Sequence, residues 1–167
     1  MPILNYTTEV SPEKTAAEIE KILANHGARN VNKEYDPKTH DVIGLFFSMP
    51  TPSGEISFRL PVRPDQMFAV LKQQLNWTES RYWGQELERV REKRRLQSAR
   101  VAWRDVKDWI AAQMALIETR QIKVEEAFFA YALVPGTGGK TLFERVTEQK
   151  LLTQTTAKDG EFHEIKE

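Results

Sequence analysis

The chain has 167 residues, no cysteine, and 24 Lys/Arg against 24 Asp/Glu, so its net charge is zero. The missing thiols exclude disulfides, thiol catalysis and thiolate metal sites, and the length suits one domain, or one core with an appendage. No stretch approaches the roughly 20 apolar residues needed to cross a bilayer, and "MPILNYTTEV" lacks the basic start and apolar run of a secretion signal; the expected location is therefore the cytoplasm, with no membrane partner.

In chain order, "SPEKTAAEIEKILANHGA" predicts the first helix. Ser11 can cap it, Pro12 fits the first helical position, Glu13 favours the positive end of the dipole, and Gly27 suits a left-handed stop. Ala16, Ile19, Ile22 and Leu23 share one face. "RNVNKEYD" alternates as a half-buried strand with Val31 and Tyr35 inward, and "DPKT" reads as a turn. "DVIGLFFSM" reads as a central strand and "TPSGE" as a second turn. "ISFRLPV" is a third strand, with Ile56, Phe58 and Leu60 on one side. Turns this short predict an antiparallel meander. "RPDQMFAVLKQQL" then predicts a helix with Met67, Val70, Leu71 and Leu75 inward.

The expected fold class is therefore α+β. An α-β-β-β-α unit spans 1–76, an aromatic connector 77–85, and a helical region 86–153, with a polar tail over 154–167. A long amphipathic helix runs from about Glu86 to Thr119, because Leu96, Ala99, Trp103, Val106, Ile110, Met114 and Ile117 recur at spacings of three and four. "VEEAFFAYAL" predicts a short helix, "VPGTGG" a loop and "KTLFERVTEQKL" a last helix. Trp103, Val106, Trp109, Ile110 and Leu116 form an apolar arc wider than one small neighbour needs, which would suit a homo-oligomer.

Charge is uneven along that long helix. Between Arg89 and Lys107 there are eight Lys/Arg against Glu92 and Asp105, a local excess of six. A globally neutral protein is drawn to a polyanion only locally, by such a cluster. At 100° per residue, Lys93, Arg100, Arg104 and Lys107 fall on one face beside the apolar stripe, while Arg89 to Arg95 point almost all round. Arg predominates over Lys, and its planar fork suits phosphate. Trp77, Tyr82 and Trp83, with Arg81 among them, precede the helix; aromatic rings interleaved with cations can stack unpaired bases.

Other motifs carry less. "PGTGGKT" falls short of a phosphate-binding loop, because Val134 stands where G-x-x-x-x-G-K-[ST] requires glycine. His26, His40 and His163 have no ligand spacing, so no metal or cofactor is expected. His26 reads as a helix-end residue. No carboxylate pair or Ser/His/Asp arrangement singles out catalytic residues.

Several segments together, "NYTTEV", "EKTAAEIEKILANHGA", "FRLPV", "RVAWRDVKDWIAAQMALIE", "AFFAYAL" and "GKTLFERV", resemble over nearly the whole chain a family of small accessory proteins of phages, prophages and bacterial genomes. The strongest part is Arg100-Val-Ala-Trp103-Arg-x-x-Lys107-Asp-Trp109, followed by Ala-Leu-Ile-Glu118. The family has no established activity, so the resemblance implies a setting, the bacterial cytoplasm, rather than a chemistry. The α-β-β-β-α order is also that of the double-stranded-RNA-binding module, whose helix after the third strand carries clustered lysines; here that helix has only Lys72.

The leading expectation is non-catalytic nucleic-acid binding. Arg91, Lys93, Arg94, Arg95, Arg100 and Arg104 would contact phosphates, with Trp77 and Trp83 as stacking rings. The alternative is a protein-interaction module, an inhibitor or adaptor of a host factor, whose same helix meets an acidic protein surface.

Overall fold

The computed structural model of the chain describes residues 3–149. Helix α1 (Pro12–Asn25) is followed by strands β1 (Arg29–Tyr35), β2 (Val42–Thr51) and β3 (Gly54–Pro61), then by helices α2 (Pro64–Gln74) and α3 (Gly84–Glu118). A five-residue helix α4 (Val124–Phe128) continues into a 3₁₀ turn at Phe129–Tyr131, and α5 (Leu142–Glu148) closes the described chain. The predicted tail over 154–167 lies outside these residues.

Local chemistry explains the elements. Ser11 Oγ accepts from the Lys14 amide at 3.3 Å, which caps α1, and Pro12 occupies its first turn. Gly27, at φ +87°, lets the chain leave the helix while the Ala28 amide bonds back to the Leu23 carbonyl at 3.0 Å. Asp36 Oδ1 accepts from the amides of Lys38 and Thr39, at 2.8 and 2.9 Å, and so builds the β1–β2 turn. The two-residue turn between Thr51 and Gly54 pins the β2–β3 register, with Phe47 opposite Phe58 and Leu45 opposite Leu60. The sheet order is β1-β2-β3, antiparallel throughout.

One core serves the described residues. Ala16, Ile19 and Leu23 from α1 meet Leu45, Phe47, Met49, Phe58 and Leu60 from the sheet. Trp103, Ile110 and Met114 from α3 and Phe128 from α4 complete it. Trp103 is wholly buried, and its Nε1 donates to the Val42 carbonyl at 3.2 Å, so helix and central strand are tied at that point. Phe128 stands edge-on to Phe47 and to Trp109, with ring centroids 5.5 Å apart in both pairs. After the 3₁₀ turn the chain lies along the outer edge of β3, where the Leu133 amide bonds to the Ser57 carbonyl at 2.8 Å.

Several inward assignments change. Leu96 is 44% exposed, because the N-terminal part of α3 turns a different side to its neighbours. Val70 and Leu75 are also exposed, and only Leu71 of α2 is buried. Tyr35 faces outward, since a register irregularity between Glu34 and Tyr35 breaks the alternation of β1. The apolar arc of α3 is largely taken up within this chain: Trp103 and Ile110 are buried, and Val106 and Trp109 pack on the same core. It therefore gives no argument for a second copy.

Candidate nucleic-acid interface

The predicted phosphate contacts lie on α3, a rigid rod of 35 residues with no proline inside it. Its C-terminal half is seated on the core, and the connector folds back against its N-terminal half. This packing divides the cations into three sets.

The first set is neutralised within the fold. Arg91 donates to Glu79 Oε2 from Nε at 3.2 Å and from Nη2 at 2.9 Å, and to Glu88 Oε1 from Nη1 at 3.0 Å. These carboxylates hold the Arg91 guanidinium above its ordinary range, and Arg91 in turn pulls the Glu79 carboxyl below its own. Arg104 donates to Glu18 Oε2 at 2.8 Å, and the Lys107 ammonium lies 3.0 Å from the same oxygen. The Lys107 hydrogen bond is the main reason the Glu18 carboxyl is lowered. Three carboxylates, Glu18, Glu79 and Glu88, thus meet the basic segment and halve its excess charge.

Arg94 forms a second set. Its guanidinium lies 5.3 Å from the Trp77 ring centre and 5.8 Å from that of Tyr82, and Nη1 donates to the Thr78 carbonyl at 3.2 Å. Trp77 also packs on Phe68, with centroids 5.8 Å apart. Trp77 is therefore part of the packing that holds the connector to α3, half-buried against Phe68 and Arg94.

The third set faces water. Arg89, Lys93 and Arg95 are exposed and make no ion pair among the described residues. Arg89 and Lys93 lie within about 40° of one another on the helix, with half-buried Arg100 between them in angle; Arg95 points elsewhere. Arg100 Nε is shielded from water and has no acceptor among the described residues. Glu86 and Glu92 are exposed on the same segment and dilute the field. Trp83, immediately before α3, is 75% exposed and is the one connector tryptophan with an open ring.

The basic residues of the sheet do not join this surface. Arg29, Lys33 and Arg59 pair with Glu55, Glu20 and Glu34 respectively. The glycine loop is also closed. Thr141 and Glu144 cap α5 reciprocally, with the Thr141 amide donating to Glu144 Oε2 at 2.7 Å, so the helix start already holds its own acid. His26 is a helix-end residue whose Nδ1–H donates to the Ile22 carbonyl at 2.7 Å.

No protein family, curated protein or solved structure matches this chain. Among the described residues no helix is long and apolar enough to cross a membrane, and no three His, Asp or Glu side chains cluster as metal ligands.

Proposed function

We propose that this protein binds nucleic acid through the water-facing side of α3, as a small phage-type accessory protein working in the bacterial cytoplasm. The observation that carries this reading is the pair Arg89 and Lys93: exposed cations on one side of a rigid helix, with no carboxylate partner among the described residues. Arg100 lies beside them, and the open ring of Trp83 stands at the start of the same helix, where a base can stack. Arg91 and Arg104 act inside the fold, and Arg94 and Trp77 hold the connector.

The test is the salt dependence of binding to labelled oligonucleotides, single- and double-stranded. Three phosphate contacts, from Arg89, Lys93 and the adjoining Arg100, predict a fall in affinity of about 20- to 40-fold between about 50 and 200 mM salt. Absence of any binding at low salt overturns the reading.

One observation favours a second reading, a protein partner with an acidic surface. Leu96 is 44% exposed and lies about 20° from Arg89 on the helix, so an apolar side chain sits among the cations. An interface that buries Leu96 while pairing Arg89 and Lys93 would suit an inhibitor or adaptor. Leu96→Ser separates the two: it weakens a protein interface and leaves phosphate contacts intact.

A further inference from the structure

A groove of about 660 Å³ lies on the side of α3 away from Arg89 and Lys93. Its walls are Met67 and Val70 from α2, Val106 from α3, Tyr131 from the 3₁₀ turn and Phe143 from α5. A smaller lobe of about 270 Å³ adjoins it and reaches Leu60 and Trp109; both lobes share Asp105. Volumes of this size, mostly apolar with a few polar groups, are typical of small-molecule sites.

Among the described residues, Asp105 is the only carboxylate lining either lobe. Asn5 Nδ2 donates to its Oδ1 at 3.1 Å, and the same amide donates its other hydrogen to Asp108 Oδ2 at 2.9 Å. Asn5 therefore has nothing more to give. Asp105 Oδ2 has no donor among the described residues, and Arg63, the one cation in the lining, makes no ion pair with it. The Asp108 carboxylate nearby adds to the negative potential. A half-buried carboxylate between apolar walls, with an oxygen unserved, is complementary to a cation that brings its own N–H donors.

We propose that this groove binds a small amphipathic amine, an aryl- or alkylammonium whose hydrocarbon part lies against Met67, Val106 and Tyr131 and whose ammonium donates to Asp105. Burial pulls the Asp105 carboxyl above its ordinary range, and an ammonium donating to it offsets that penalty on the charged form. The site is independent of the cationic face of α3.

The experiment is an NMR titration of the full chain at neutral pH with phenethylammonium, and in parallel with 2-phenylethanol, its neutral counterpart. Both should perturb Met67, Val106, Tyr131 and the Trp109 indole N–H, with the amine binding about tenfold tighter or more. Asp105→Asn should bring the amine down to the affinity of the alcohol and leave the alcohol unchanged. Val70→Trp, at an exposed position on the rim, should weaken both ligands. Equal affinity of amine and alcohol, an amine affinity indifferent to Asp105→Asn, or no perturbation of the groove residues overturns the proposal.

Discussion

Glu34 and Arg59 join the two outer strands across the bare backbone of Gly44. Arg59 donates from Nη2 to Glu34 Oε1 at 2.7 Å and from Nε to Oε2 at 3.1 Å, while Gly44 on β2 lies in register with both Glu34 and Pro61. The Arg59 guanidinium also lies 5.7 Å from the Phe46 ring centre. A β-carbon at Gly44 would sit 2.8 Å from Glu34 Oε2 and 3.0 Å from the Leu60 carbonyl oxygen. The first contact can yield by rotating a side chain; the second is backbone and cannot. We expect Gly44→Val to cost about 1–3 kcal/mol in urea unfolding. Adding Glu34→Ala should recover only part of that loss. Full stability of the single variant would show that the strands have room to part.

Two carboxyls that meet α3 should respond to acid in opposite directions. Glu18 is lowered, chiefly by the Lys107 hydrogen bond and then by Arg104. It therefore contributes stability that is present above the ordinary glutamate range and is lost as pH falls through its depressed value. Glu18→Gln should destabilise the protein at pH 7, and its gap from the parent should close in acid.

Asp105 is raised, chiefly by burial, so the folded state holds its proton more tightly than the unfolded chain. Its ionisation opposes folding as pH rises through the ordinary aspartate range and its raised folded value. Asp105→Asn keeps an acceptor for Asn5 and removes the charge, so it should raise the Tm modestly at pH 7 and not below the ordinary aspartate range. Thermal melts across pH check both carboxyls. A Glu18→Gln gap that widens in acid, or an Asp105→Asn gain confined to low pH, would reverse the assignments.

The contact between Trp103 and Val42 gives a third expectation. Trp103 is fully buried, and its indole N–H serves a carbonyl of the central sheet. Trp103→Phe retains much of the ring but leaves that carbonyl without its partner, at a cost of about 1–3 kcal/mol. Trp103→Ala adds a cavity and should cost about 3–5 kcal/mol. If both variants lose the same stability in denaturant titrations, the hydrogen bond contributes nothing separable from packing.

What the sequence revealed follows the range of the interactions. Helix α1 was legible because Ser11, Pro12 and Gly27 act within a turn of the ends they set. The meander was legible because short turns leave adjacent strands little choice of partner. Periodicity gives the apolar arc of α3 but not which neighbour covers which stretch, so it places Leu96 inward although that side chain lies at the surface. The pairing of Arg104 was hidden, since Glu18 is 86 positions away; Glu79, 12 positions before Arg91, sits in a connector without periodicity. Asp105 and its groove were hidden for the same reason, as its walls come from five separate elements.

Charge reversal separates the cations that stabilise the fold from those offered to a partner. Arg104→Glu places a like charge beside Glu18, only a third exposed, and should cost about 1–3 kcal/mol of stability. Arg89→Glu with Lys93→Glu alters two exposed side chains without ion pairs among the described residues, so stability should move by no more than about 0.5 kcal/mol per site. The same double variant should lose oligonucleotide affinity, and its slope of log affinity against log salt should flatten by about 0.7–0.9 per lost contact. Trp83→Ala should weaken single-stranded binding more than duplex binding, because only unpaired bases can reach the ring. Binding that survives the Arg89/Lys93 reversal but fails in a still-folded Arg104→Glu protein would move the interface to the α1 side of α3.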